Sequence, residues 1–191
     1  MRIKICGVTR ANDARLAEQA GADAVGVVMF STASPRSVPV QRAREIFEAV
    51  GAFTATVAVT HTTSVDDLAR ILSLGPTAIQ ISHPFSPEET RGTRVIRMIR
   101  RSDALPNDCA AVVVDESRGG GRHFDSPFAR QTILRSKVPV ILAGGLTPEN
   151  VQGAIRAIHP YAVDVATGVE RAPGIKDPEK MRTFIAAARS V

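Results

Sequence analysis

R-I-K-I-C-G-V-T-R-A-N-D, residues 2–13, contains the pattern from which the fold is predicted. Its first four residues have the alternating character of a short buried strand. This strand ends at Cys6, and Asn12 and Asp13 then provide a polar start to a helix with periodic apolar residues. The stretch therefore predicts one strand–turn–helix unit, with a thiol at the point where the strand runs out into the turn.

The same alternation continues to the end of the chain. Strand patterns lie at residues 2–6, 23–28, 53–59, 77–81, 94–98, 110–115, 139–142 and 162–166. Helical patterns lie at residues 11–20, 39–50, 65–73, 87–91, 126–136, 148–157 and 177–189. Eight strands that are nearly all followed by helices predict a parallel sheet, which right-handed crossovers close into a single (β/α)8 TIM barrel over residues 1–191. A doubly wound open sheet is the competing fold, but no G-x-G-x-x-G follows the first strand.

Local signals place some helix ends and loops. Thr147 is a favourable N-cap before Pro148 at the first helical position, and Gly21 suits the end of the first helix. Two long connections, 30–38 and 116–125, both follow strands. In a barrel they would lie on the face that carries the active site, where loops of this size usually cover substrate.

Composition narrows the class of protein. The chain has 191 residues, 44% hydrophobic and 23% charged, with a mean hydropathy of +0.02, as expected for one globular domain. No apolar run approaches the roughly 18 residues that a membrane span needs, and the chain begins directly with a strand pattern rather than a secretory segment. Cys6 and Cys109 make no disulfide framework, so a cytoplasmic protein is expected.

The charge balance bears on the partners. The net charge is +5 and the isoelectric point about 9.9, but the basic residues are scattered, aromatic residues are 4% and tryptophan is absent. Because base-stacking side chains are scarce, nucleic acid is not expected as a partner. Because no long apolar run is present, a membrane is not expected as a partner either. A positive surface that favours a small phosphorylated anion fits the charge, and so does a basic surface kept for solubility. Monomer and homodimer both remain open.

A thiol and a carboxylate are the candidate acid–base groups. Cys6, at the end of the first strand, could act as a nucleophile or, as thiolate, as a general base; the competing interpretation is a small buried hydrophobe. Asp115 directly follows the apolar run Ala111–Val114, where a carboxylate is costly to bury unless it is paired or used. A capping role in the following loop is equally open. Cys109 is interpreted as core.

Two glycine turns predict a phosphate site. Gly144 and Gly145 follow the seventh strand, and Thr167 and Gly168 follow the eighth. Barrels commonly bind phosphate with these two loops, because glycine lets backbone N–H groups approach the anion. Arg36, in the long loop after the second strand, could bind a carboxylate or be a solvated surface arginine. The histidines and acids show no metal-ligand spacing, so no metal is expected.

Several motifs together resemble the phosphoribosylanthranilate isomerase family of the tryptophan pathway. They run through the chain in the family's order: residues 4–9 (K-I-C-G-V-T), 26–30, 34–38 (S-P-R-S-V), 114–115, 124–125, 139–151 (P-V-I-L-A-G-G-L-T-P-E-N-V) and 163–177 (V-D-V-A-T-G-V-E-R-A-P-G-I-K-D). The resemblance implies a (β/α)8 barrel without a cofactor. It implies an Amadori rearrangement of N-(5-phosphoribosyl)anthranilate to the deoxyribulose phosphate.

The resemblance also implies roles for individual residues. Cys6 would be the general base at the sugar C2, and Asp115 the general acid at the furanose ring oxygen. Arg36 would face the anthranilate carboxylate. The turns at Gly144-Gly145 and Thr167-Gly168 would hold the phosphate, and Asp164 matches a position near the sugar.

Some segments depart from the family pattern. They are residues 80–83 (Q-I-S-H), residues 118–126 (R-G-G-G-R-H-F-D-S) and Ala166-Thr167-Gly168. The first two favour, as an alternative, a paralogue that acts on another phosphorylated or aryl-amine substrate. A second alternative is a non-catalytic barrel that binds a phosphorylated metabolite, against which the paired Cys6 and Asp115 argue.

Overall fold

Eight parallel strands form a closed barrel in chain order. A computed structural model describes residues 1–115 and 126–191, and in it each strand pairs with the next while the eighth pairs with the first. The strands are β1 (Arg2–Ile5), β2 (Ala24–Met29), β3 (Ala55–Thr60), β4 (Ala78–Ile81), β5 (Arg94–Ile99), β6 (Ala111–Val114), β7 (Val140–Leu142) and β8 (Ala162–Val165). The predicted (β/α)8 barrel is confirmed, and the open doubly wound sheet is excluded.

Helices follow most of the strands. They are α1 (Ala11–Gln19), α2 (Val40–Phe47), α3 (Val65–Leu72), α4 (Pro87–Thr90), α5 (Ser126–Arg135), α6 (Val151–Ile158) and α7 (Pro178–Arg189). All seven were predicted, most to within one or two residues at each end. Gly21 has a φ of +98° directly after α1 and its N–H donates to the carbonyl of Glu18, which confirms its place at the helix end.

The predicted start of α6 was wrong. The helix begins at Val151 rather than Pro148, and Thr147 is not its cap. The side chain of Asn150 explains the delay: its Oδ1 accepts from the N–H of Thr147 at 2.8 Å and its Nδ2 donates to the carbonyl of Gly145 at 2.8 Å. These bonds hold the residues before Val151 in a turn, because an asparagine side chain that bonds the preceding backbone competes with helix.

A short hairpin after β8 was not predicted. The chain passes through a 3-10 turn (Thr167–Val169) into β9 (Glu170–Ala172) and β10 (Ile175–Lys176), which pair antiparallel. Gly174 turns the hairpin with a φ of +76°. Strands of three and two residues are too short to show a period, so the sequence alone carried no signal for them.

The core has two layers, which alternate along each strand. Outward side chains such as Ile3, Ile5 and Phe184 of α7 belong to a large cluster between barrel and helices. Smaller side chains such as Val57 and Val113 fill the barrel interior. The inward positions of β1 are therefore those of Lys4 and Cys6, one residue either side of Ile5.

Of the two long loops, 30–38 lies within the described residues. The N–H of Val38 donates to the carbonyl of Val28 at 2.9 Å, which returns the loop to β2 before α2 begins. The predicted loop 116–125 lies outside the described residues, as do the motif 124–125 and most of segment 118–126. Among the residues that the structure describes, no helix is long and apolar enough to cross a membrane.

Two phenylalanines allow a matched test of this packing. Phe184 is fully buried between α7 and the barrel, whereas Phe53 is fully exposed. We expect Phe184→Ala to lower the free energy of unfolding by about 3–5 kcal/mol, since it removes apolar contacts and leaves a cavity. Phe53→Ala should change it by no more than about 0.5 kcal/mol. Urea unfolding followed by circular dichroism measures both; equal losses would contradict the assignment of the outer layer.

Candidate active site

The predicted site residues follow four different strands and share one end of the barrel. Cys6 follows β1, Asp115 follows β6, Gly144-Gly145 follows β7 and Thr167-Gly168 follows β8. Because all eight strands run parallel in a closed barrel, their carboxyl ends form one rim. The structure therefore brings the predicted thiol, carboxylate and glycine turns to the same face.

Cys6 lies against Lys4 at the mouth of the barrel. Both side chains lie against the same residue, Gly26 of β2. A Cβ atom on Gly26 would lie 2.9 Å from Sγ of Cys6 and 3.1 Å from Nζ of Lys4. The absence of a side chain at Gly26 is therefore what makes room for an ammonium beside the thiol.

Lys4 is held charged inside the barrel by an ion pair with Asp164 of β8. Its Nζ donates to Oδ2 of Asp164 at 2.8 Å, and the two side chains are 5% and 7% exposed. Burial alone would lower the pKa of Lys4, but the combined attraction of Asp164 and Cys6 outweighs it and raises that pKa. A charged ammonium thus lies next to the Cys6 thiol inside the barrel.

Burial has the largest effect on the pKa values of Cys6 and Asp164. It raises the pKa of the Cys6 thiol above its ordinary value, although Lys4 pulls it down, and it also raises the pKa of Asp164. Asp115 repels the charged form of Asp164, so the two carboxylates lie within electrostatic range of each other. Oδ1 of Asp164 is buried and has no hydrogen-bond partner among the residues described. Such an acceptor is costly unless a ligand group donates to it.

Arg36 is held by Glu170 and packs on the loop after β1. Its Nε and Nη2 donate to the two carboxylate oxygens of Glu170 at 2.8 and 2.7 Å, and Nη2 also reaches Oγ1 of Thr167 at 3.3 Å. A Cβ atom on Gly7, which has a φ of +68°, would lie 2.5 Å from Cδ of Arg36. The predicted carboxylate ligand is therefore next to Cys6 and to one phosphate turn, not on the outer surface.

The two predicted phosphate turns touch each other. Gly144 and Gly145 have φ values of +88° and +64°, which favour glycine. A Cβ atom on Gly168 would lie 1.9 Å from the carbonyl oxygen of Leu146 and 3.1 Å from Cα of Thr147. Glycine at 168 thus lets the loops after β7 and β8 meet, as a shared anion site requires.

Sequence reasoning missed three buried charged residues at this site: Lys4, Glu170 and Lys176. Lys4 could have been found, because it alternates with Cys6 on one strand and so shares its inward face. Glu170 and Lys176 lie in the unpredicted hairpin and carried no separate signal. Cys109 packs half-buried against the outer core, as predicted. Within residues 1–115 and 126–191, no cluster of His, Cys, Asp or Glu could hold a metal ion.

The family comparison covers nearly the whole chain. The model of the N-(5′-phosphoribosyl)anthranilate (PRA) isomerase family matches residues 3–187. The N-(5′-phosphoribosyl)anthranilate isomerase of Methanoregula boonei is 62% identical over 189 residues, which are 99% of this chain and 97% of that protein.

Solved structures give the same match. The phosphoribosyl anthranilate isomerase of Thermus thermophilus superposes with a TM-score of 0.86 at 34% identity, covering 100% of this chain and 99% of that one. A further phosphoribosyl anthranilate isomerase, solved in complex with reduced 1-(o-carboxyphenylamino)-1-deoxyribulose 5-phosphate, superposes with a TM-score of 0.83 at 29% identity and covers 100% of both chains.

The contact at Gly168 predicts opposite effects for two glycine substitutions. We expect Gly168→Ala to lower the free energy of unfolding by about 1–3 kcal/mol, since the new Cβ would collide with backbone. Gly153, in the interior of α6, has open space where its Cβ would be. Gly153→Ala should raise the free energy of unfolding by about 0.5–1 kcal/mol, because alanine favours helix. Urea titration of both variants is the measurement, and a neutral Gly168→Ala would refute the close approach of the two loops.

Proposed function

Because this chain belongs to the phosphoribosylanthranilate isomerase family, and is therefore an isomerase, we propose that Cys6 and Asp115 are its general base and general acid. The substrate would be N-(5-phosphoribosyl)anthranilate, a small phosphorylated aryl amine. The reaction needs no redox partner, since it only relocates protons and a double bond. The observation that carries the proposal is the arrangement of Cys6, Lys4 and Asp164 beside Asp115 on one rim.

In the proposed reaction two protons move in opposite directions. Asp115 gives a proton to the furanose ring oxygen, the C1–O bond breaks, and the electron pair of the aryl-amine nitrogen forms the C=N bond of a Schiff base. Cys6 then removes the proton from C2, and the electrons of that C–H bond form an enolamine. Tautomerisation of the enolamine gives the 1-amino-1-deoxyketose. One proton given by the acid and one taken by the base keep the site balanced, as general acid–base catalysis requires.

Lys4 supplies what a buried thiolate needs. Removal of the thiol proton leaves a negative charge in a site from which solvent is largely excluded, and burial opposes that charge. The ammonium of Lys4, fixed by Asp164, lies next to the sulfur and stabilises it. The raised pKa also makes the thiolate a stronger base once formed, which suits removal of a proton from carbon.

The remaining predicted residues would bind the substrate. We assign the phosphate to the turns at Gly144-Gly145 and Thr167-Gly168, and the anthranilate carboxylate to Arg36. Asp164 would accept a hydrogen bond from a sugar hydroxyl through Oδ1, the buried oxygen that has no hydrogen-bond partner among the residues described. The family chemistry also supports a role in cytoplasmic tryptophan synthesis.

The acid–base pair predicts the effect of two substitutions. We expect Cys6→Ala and Asp115→Asn each to lower kcat at least about 10²- to 10⁴-fold while the proteins stay folded, because each removes one proton transfer. The loss of anthranilate fluorescence during turnover of freshly generated phosphoribosylanthranilate measures the rate, and circular dichroism checks the fold.

The second cysteine is a matched control. Cys109 lies in the outer core away from the rim, so Cys109→Ala should keep the activity of the unchanged protein. A fully active Cys6→Ala enzyme would remove the thiol from the mechanism. No turnover by the unchanged protein, with phosphate binding retained, would favour the paralogue with another substrate.

The raised pKa of Cys6 predicts a pH profile. The thiolate is the active form and its pKa lies above the ordinary thiol value of about 8.5. Below that pKa the thiolate fraction rises about tenfold with each pH unit, so the rate of Cys6 alkylation by iodoacetamide should climb with pH through neutrality and beyond pH 8. Cys109→Ala protein isolates the signal of Cys6. A plateau below pH 7 would contradict the assignment.

A further inference from the structure

Glu170 of the short hairpin after β8 holds Arg36 in a two-point contact. The paired Nε–Oε1 and Nη2–Oε2 bonds use one edge of the guanidinium, and the side chains are only 12% and 4% exposed. A two-point contact of this kind fixes the plane and direction of the guanidinium as well as its distance. Among the described residues Nη1 of Arg36 has no hydrogen-bond partner, so this nitrogen is left to bind an anion.

Glu170 is itself fixed by the other strand of the hairpin. Its Oε1 accepts from Nζ of Lys176 at 3.0 Å and from the N–H of Gly174 at 3.2 Å, besides the bond from Arg36. Lys176 is completely buried, and its Nζ also donates to the carbonyl of Ala166 at 3.0 Å, directly before the phosphate turn. The hairpin thus ties the carboxylate ligand and the phosphate turn to one buried group.

Glu170 is the carboxylate that both cations share. Its pKa is held below the usual value because the attraction of Arg36 and Lys176 outweighs burial. Burial lowers the pKa of Lys176, and Glu170 is the main group that opposes this shift. The charge of Lys176 therefore depends on its bond to Glu170, which ties the two residues into one unit.

We propose that Glu170 and Lys176 are positioning residues for substrate binding: Glu170 holds Arg36 so that its Nη1 can meet the aryl carboxylate, and Lys176 fixes Glu170. This inference rests on the proposed function. It assigns the hairpin after β8 to recognition of the carboxylate at a set distance from the phosphate.

Charge and aim can be separated with two substitutions of Glu170. Glu170→Asp keeps the negative charge but shortens the reach, so it disturbs only the two-point contact, whereas Glu170→Gln also removes the charge beside Arg36. If the charge alone acted, Glu170→Gln would change KM and Glu170→Asp would leave it unchanged. Positioning predicts that KM rises about tenfold or more in both variants, as for the loss of one charged hydrogen bond.

The measurement is steady-state turnover of phosphoribosylanthranilate, with benzoate and inorganic phosphate as competitive inhibitors. We expect KM and the inhibition constant of benzoate to rise together in Glu170→Gln, and kcat and the inhibition constant of phosphate to change less than about threefold. Lys176→Met should also weaken benzoate binding, because Glu170 loses the ammonium that fixes its carboxylate. Glu179→Gln, which breaks an exposed pair with Arg182 on α7, is the control and should change neither constant.

Other results would overturn the inference. A lowered melting temperature with unchanged KM would make the cluster structural, and a parallel rise of both inhibition constants would indicate a general loss of the site. If Glu170→Gln does not fold, Glu170→Asp keeps the charge but shortens the reach, and an unchanged KM in that variant would count equally against positioning. Absence of turnover in the unchanged protein contradicts the proposed function instead, whereas normal turnover with an unaffected Glu170→Gln contradicts this inference alone.

Discussion

The ion pair between Lys4 and Asp164 is the constraint around which the interior of the barrel is built. Two opposite charges that are both almost completely buried must stay paired, because each would be several kcal/mol less stable alone. The pair joins β8 to β1, the two strands that close the barrel. The ion pair also sets the charge beside the thiol of Cys6, since the ammonium that neutralises Asp164 is the same group that lies next to that thiol.

The loops at the rim meet because glycines let neighbouring atoms approach closely, more than because of bulk packing. Gly7 makes room for the stem of Arg36, Gly26 for the thiol and ammonium, and Gly168 for the backbone of the loop after β7. In each case the atom that a side chain would meet belongs to the site itself or to the loop that forms it. At such a position the lack of a side chain matters more than the flexibility of glycine, because it leaves room for a neighbouring atom. Two loops from different strands can therefore share one pocket.

The sequence predicted the barrel because its signal is repeated eight times, so errors of one or two residues at strand ends did not change the architecture. The prediction of local structure failed where a single side chain or a very short element determined the backbone conformation. Asn150 delayed α6 through its own hydrogen bonds, and the hairpin containing Glu170 had too few residues to show a period. At the site, the sequence indicated which residues follow the strands, whereas the partners of Arg36 depend on contacts more than 130 residues apart in the chain.

The two buried ionic groups do not act independently. Lys176 of the hairpin lies close enough to Cys6 and Asp164 to lower the pKa of both, so its ammonium acts on the same thiol as that of Lys4. Within the hairpin group only Arg36 reaches the surface, since its side chain is 12% exposed whereas those of Glu170 and Lys176 are 4% and 0% exposed. Glu170 and Lys176 can therefore influence a ligand only through the contacts that hold the guanidinium. The hairpin and the barrel interior thus form one electrostatic unit, because the ammonium that fixes Glu170 also favours the thiolate of Cys6.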